Sequence, residues 1–102
     1  MKNIHRTLPY GLRLLNAAAL DVADAMSCDA TRDRETGQIR ATVRVYGNDS
    51  LVAFDITAVD EEHSKFCITM LEPSPKLSDG GQRRTLIHLA DSIEQLLESS
   101  RL

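Results

Sequence analysis

Apolar residues recur along the chain at two periods. From Pro9 to about Met26 the residues Leu12, Leu15, Ala19, Val22 and Met26 step by three and four. That spacing predicts one helix with a single apolar stripe, and Arg13, Asn16, Asp21 and Asp24 fall mostly off it. Thr7 and Pro9 carry its start signals, a capping hydroxyl and a proline in the first turn. Ala17, Ala18, Ala19 and Ala23 raise helix propensity and let a neighbour approach closely. Downstream the period drops to two. Gln38 to Tyr46 alternates, with Ile39, Ala41, Val43 and Val45 on one side and Arg40, Thr42, Arg44 and Tyr46 on the other. Leu51 to Val59 sends Val52, Phe54 and Ile56 inward and Asp55 and Thr57 outward. Lys65 to Leu71 sends Phe66, Ile68 and Met70 inward. Three such runs with short polar connections predict an antiparallel meander with one wet face.

The helical period returns at the end. Leu86, Leu89, Ala90, Ile93, Leu96 and Leu97 form a stripe, and Asp91, Glu94, Gln95 and Glu98 form the solvated side. Asp79 is the predicted cap, with Gln82 three residues on. A helix of roughly 18 residues from there to about Ser99 spans about 27 Å, most of the width of a sheet. Two shorter strands complete the order. Residues 3–8 place Ile4 and Leu8 on one face with Arg6 between them, and Cys28 to Arg32 forms the second strand. Asp33-Arg34-Glu35-Thr36-Gly37 is a turn in which Gly37 supplies positive φ. Gly47-Asn48-Asp49-Ser50 and Asp60-Glu61-Glu62-His63 are further turns. Pro73 and Pro75 lack ladder donors, so the strand before them ends there. The expected fold class is α+β, in the order β-α-β-β-β-β-α, with both helices on one face of a curved antiparallel sheet. Val43, Phe54, Ile56, Ile68, Leu89 and Ile93 are expected to share one core.

Composition narrows the function classes. A chain of 102 residues fits one domain, residues 1–102. Tyr10, Tyr46, Phe54 and Phe66 are its only aromatics, so the core is aliphatic and there is no platform for stacking bases. Twelve basic against fifteen acidic residues give a net charge of -3, which argues against non-specific binding to nucleic-acid phosphates. Cys28 and Cys67 lack Cys-x-x-Cys spacing and read as small half-buried apolar residues in a reducing compartment. No apolar run is long enough to span a bilayer, and no secretory pattern precedes Pro9, so the expected location is the cytoplasm.

No constellation marks catalysis. His5, His63 and His88 have neither a helical i,i+4 partner nor the Cys or carboxylate spacing of a metal site, so no metal and no cofactor are expected. His88 and Asp91 can meet at i,i+3 as a solvated pair. Glu61 and Glu62 sit in a turn beside His63, the wrong place for general acid/base work. Two binding features remain. Gly80, Gly81, Arg83 and Arg84 place flexible backbone donors and two cations at a helix N-terminus, where anions bind. The plainer account is that the glycines ease entry into the helix, the arginines are solvated and Asp79 occupies the donors. The outer sheet face is expected to carry Arg40, Arg44, Tyr46, Asp55 and Thr57 beside Lys65, Cys67 and Thr69. Such a mixed face can meet water, or pair with a second copy about a two-fold axis as a homodimer.

The Ala-rich first helix, the run Asp33-x-x-x-Gly37-x-Ile39-x-Ala41 and Asp79-Gly80-Gly81 before the last helix are similar to small bacterial domains of unknown function. The element order resembles the fold shared by TATA-binding-protein-like and Bet v1-like (helix-grip) domains. That resemblance implies a curved sheet wrapped around a long C-terminal helix. Its motifs are turns and core positions, so it carries over no functional residues. The expected function is a non-enzymatic binding module for a small apolar ligand or a protein partner. The alternatives are an enzyme of unrecognised type, and anion or nucleic-acid binding at the Gly80–Arg84 helix N-terminus.

Overall fold

A computed structural model describes residues 2–99. The elements are β1 (Asn3–Leu8), α1 (Leu12–Met26), β2 (Thr31–Arg32), β3 (Ile39–Val45), β4 (Asn48–Ala58), β5 (Ser64–Glu72) and α2 (Asp79–Ser99). The fold is α+β. The five strands form one curved, open antiparallel sheet in the order β1-β5-β4-β3-β2. α1 packs over β3, β4 and β5, and α2 packs over β1 and β5 and against α1.

The alternation read from the sequence holds on the three long strands. Ile39, Ala41, Val43, Val45, Val52, Phe54, Phe66, Ile68 and Met70 are buried under the helices. They join Leu15, Ala19 and Ala23 of α1 and Leu86, Leu89, Ala90, Ile93 and Leu97 of α2 in one cluster. Ile56 lies at its margin, half-buried. Phe54, Phe66, Ile68, Leu89 and Ile93 are fully buried. At about 25 cal/mol per Å² of apolar surface removed from water, this contact between layers is the main term holding the fold.

Several boundaries differ from the sequence reading. β1 keeps Thr7 in the ladder opposite Lys65, so its hydroxyl is not available to cap α1. The helix starts at Leu12 with extended Gly11 as its N-cap and no side-chain cap; the Gly11 carbonyl accepts the Leu15 N–H at 3.1 Å. Leu12, placed on the buried stripe, is exposed. The strand expected over Cys28–Arg32 shrinks to two residues because the Asp29 carboxylate, not a backbone carbonyl, accepts the Thr42 N–H at 2.8 Å. An Asp side chain commonly competes with the ladder in this way. The second hairpin turns at Tyr46-Gly47 rather than at Gly47–Ser50. Both residues have positive φ, 53° and 77°. Two consecutive such residues match the twist of the flanking strands, so the chain reverses in two residues and β4 begins at Asn48.

Gly37 has φ 76°, as its turn requires, and its N–H donates to the Asp33 carbonyl at 2.9 Å. Ser78 caps α2 in place of Asp79, its hydroxyl oxygen accepting the Gly81 N–H at 3.1 Å. Two buried serines that the alternation does not single out fix loops to the ends of the sheet. The Ser64 hydroxyl donates to the Tyr10 carbonyl at 2.7 Å, and the Ser50 hydroxyl accepts the Ser74 N–H at 2.9 Å.

Candidate functional site

Both helices lie on one side, so the other face of the sheet has no second layer among the described residues. Register decides which side chains meet there. Arg40 stands opposite Ala53, Ala53 opposite Thr69, and Thr69 opposite Asn3. The next row runs Asp55, Cys67, His5, and the one beyond it Thr57, Lys65, Thr7. Thr42 and Leu51 form a row on the other side of Arg40 and Ala53. The centre of the face is uncharged. Thr42, Leu51, Cys67 and Thr69 are half-buried by their neighbours and Ala53 is buried outright. Arg40, Asp55 and Lys65 stand exposed around this centre.

Eight residues are expected on this surface from the alternation, and seven of them, Arg40, Arg44, Asp55, Thr57, Lys65, Cys67 and Thr69, are there. Tyr46 is not. Its positive φ swings it into the hairpin turn, where its ring meets that of His88 on α2 with centroids 5.6 Å apart. Arg44 is on the face, but its guanidinium is bound within its own hairpin. Nε and Nη2 donate to the two Asp49 carboxylate oxygens at 2.8 and 3.2 Å. This two-point bond raises the Arg44 pKa and lowers that of Asp49. The Asp55 carboxylate accepts from the Gln38 amide at 3.0 Å, and the same Gln38 accepts from Arg40 Nε at 2.8 Å.

A cysteine beside a histidine and a carboxylate is a combination that can activate a thiol. Here Cys67 lies between His5 and Asp55 on an open pleat. Its sulfur lies 3.9 Å from the Thr69 hydroxyl, and no hydrogen bond joins it to either neighbour among the described residues. Cys28 is exposed rather than half-buried, and both thiols are free. His63 pairs with Asp60 at 2.9 Å, not with Glu61 or Glu62. Asp60 also accepts the Glu62 and His63 N–H groups, and these bonds, the His63 ring first, hold its pKa low. His88 does not meet Asp91, which instead binds Arg6 at 2.8 Å. Among the described residues no group of three His, Cys, Asp or Glu side chains is placed to hold a metal ion, and no helix is long and apolar enough to cross a membrane.

The Gly80–Arg84 segment comes apart in space. Gly81 is buried, and a Cβ there would come within 3.0 Å of Leu77 Cδ2, so this glycine serves close packing. Arg84 folds back beside Gly80. Arg83 points elsewhere, into a cleft of about 260 Å³ lined by Lys2, Asn3, Ile4, Leu86 and Ile87. Its cationic neighbour is therefore Lys2 on the edge of the sheet, a pairing that 80 intervening residues conceal from any local motif. A second cleft, between the N-terminal half of α1 and the β2–β3 turn, is lined by Arg13, Asn16, Arg32 and Ile56 among others.

Comparison with protein-family models finds no match to this chain, and no curated protein matches it.

Proposed function

We propose that the chain is a non-enzymatic binding module that takes a protein partner on the uncovered face of its sheet. The observation that carries this reading is the uncharged, half-buried centre of that face, Thr42, Leu51, Cys67 and Thr69 around Ala53, rimmed by Arg40, Asp55 and Lys65. A centre depleted of charge inside a charged rim is the ordinary anatomy of a protein interface. A protein partner is favoured over a small apolar ligand because the space between sheet and helices is filled by Phe54, Phe66, Ile68, Leu89 and Ile93. None of these five lines the clefts described above. The element order also supports kinship in shape with TATA-binding-protein-like and helix-grip domains. Against nucleic acid stand the net charge of -3 and the mixed charge of the open face.

The test is affinity capture with three forms of the protein. Thr69→Arg puts a cation in the centre of the face at a half-exposed position. Asp24→Arg puts one on the exposed side of α1. A partner retained by wild type and Asp24→Arg and lost by Thr69→Arg supports the reading. A partner lost equally with both, or with neither, places the interface elsewhere.

A further inference from the structure

β1 is an edge of the sheet, and its register tells which of its backbone groups are in use. The Met70 N–H donates to the Lys2 carbonyl at 2.9 Å. Hydrogen-bonded positions recur at every second residue of an antiparallel ladder. Ile4, Arg6 and Leu8 therefore also turn their backbone groups toward β5, opposite Ile68, Phe66 and Ser64. Asn3, His5 and Thr7 turn theirs outward, away from the sheet. Edge strands are usually protected by proline, a bulge, extreme shortness, an inward-pointing charge or a cover. β1 has six paired residues, no proline and no register shift, and its one inward-pointing charge, Arg6, is bound by Asp91 and Glu94 of the same chain. The opposite edge is protected. β2 has two residues, and Asp29 closes the next position by accepting the Thr42 N–H.

α2 runs in the same direction as β1. Arg6 binds Asp91 and Glu94 at 2.8 and 3.1 Å, while Lys2 and Ile4 share their cleft with Arg83 and Ile87. The spacing agrees: eight residues of helix rise about 12 Å and four of strand about 13 Å. Arg83, Ile87, Asp91 and Glu94 sit at i, i+4, i+8 and i+11, one stripe beside the open edge. The stripe is basic at one end and acidic at the other. Neither Lys2 nor Arg83 has an acidic partner in the chain among the described residues.

We propose that a second copy of this chain occupies this edge, β1 pairing antiparallel with β1 about a two-fold axis at His5 and joining the two sheets into one. In that register Asn3 stands opposite Thr7 of the copy and His5 opposite His5. All of these face outward, so three hydrogen-bonded pairs form with about two bonds each. The same rotation reverses the charged stripe, and Lys2 and Arg83 come to face Asp91 and Glu94 of the copy. A slip of one residue sets inward-turned groups against outward-turned ones, and a parallel pairing sets like charges together. Backbone parity and charge thus select the same arrangement. This contact lies on the edge of the sheet and leaves its open face free for the partner proposed above.

Sedimentation equilibrium from low to high micromolar concentration should show a species of twice the chain mass of 11.3 kDa. In that species the Asn3, His5 and Thr7 amides should be protected from hydrogen exchange and should lose protection on dilution. His5→Pro deletes a donor that no intrachain bond uses among the described residues, a change tolerated at edges, and should weaken association at least about tenfold. Arg83→Glu, at an exposed position, should weaken it roughly tenfold and reverse the response to added salt. Circular dichroism confirms that each variant is folded, and Arg83→Glu carries the test if His5→Pro is not. A mass of one chain throughout overturns the proposal. So does a dimer whose three amides exchange freely, which would mark association through the sheet face. Binding of an acidic peptide or an alkyl carboxylate to a chain that stays monomeric would assign Lys2 and Arg83 to that ligand and overturn it as well.

Discussion

The two faces of the sheet are made from the same strands, alternate residues going to each, and only one face is dry. On the helix side Val43, Val52, Phe54 and Ile68 are fully buried, in cross-strand pairs such as Phe54 with Ile68. On the other side Arg40, Asp55 and Lys65 stand in water, yet the centre between them avoids charge. The first contrast shows where the folding energy comes from. The second shows that the open face is not simply the polar complement of the core, because a surface selected only for hydration has no need of Leu51, Ala53 and Cys67 at its middle.

Mutation should separate the two faces by stability. Phe54→Ala or Leu89→Ala removes a fully buried side chain, and each should cost about 3–5 kcal/mol through lost transfer energy and the cavity left behind. Asp55→Ala, the next residue along β4 but on the open side, should change stability by less than about 0.5 kcal/mol. Denaturant titration reads both. Equal effects would remove the distinction between the faces.

Turns at the ends of the faces come next in size. Gly37 and Gly47 both lie at positive φ, where a side chain strains the backbone by about 1–2 kcal/mol. Gly47→Ala isolates that strain, because nothing lies within 4 Å of the added Cβ. Gly37→Val should cost somewhat more than Gly47→Ala, since β-branching is the worst choice for that region. A neutral Gly37→Val would mean that the loop reverses elsewhere.

Arg6 tests the rim between the faces. It sits on the helix side of an edge strand, partly buried, with Asp91 and Glu94 as partners. Arg6→Ala should cost about 1 kcal/mol, between the core and open-face values. The smallest effect is the pH response. Asp29, Asp33, Asp49 and Asp60 are all held below the ordinary carboxylate range. The causes, in order, are the Thr42 N–H, the Thr36 and Glu35 N–H groups, the Arg44 guanidinium, and the His63 ring with the Glu62 N–H. A depressed carboxylate contributes stability above its unfolded pKa, about 3.9, and loses it as pH falls through the folded value. Stability should therefore be flat near neutrality and fall below about pH 4. All four groups are exposed and belong to loops, turns and the β3–β4 hairpin, so the fall should be shallow and should weaken in high salt. A steep loss near pH 6 would point to groups outside this set.

Element order, strand faces and the buried stripe of α2 were legible from the chain, because periods of 2 and 3.6 record which side of each element loses water. Gly37 was legible because only one residue type takes its φ without strain. What stayed hidden depends on partners distant in sequence. Thr7 looks like a cap until the ladder with Lys65 claims it, and Cys28–Arg32 looks like a strand until Asp29 takes the place of a ladder bond. Tyr46 continues the alternation of β3 on paper, but the two-residue turn removes it from the sheet and sets it against His88. The pairing of Lys2 with Arg83 and the outward turn of Asn3, His5 and Thr7 follow from register and from the placing of α2 over β1. A linear pattern fixes which face a side chain takes. It does not fix which neighbour it meets there, because that depends on how the layers slide and stack, and this is decided only when the whole core closes.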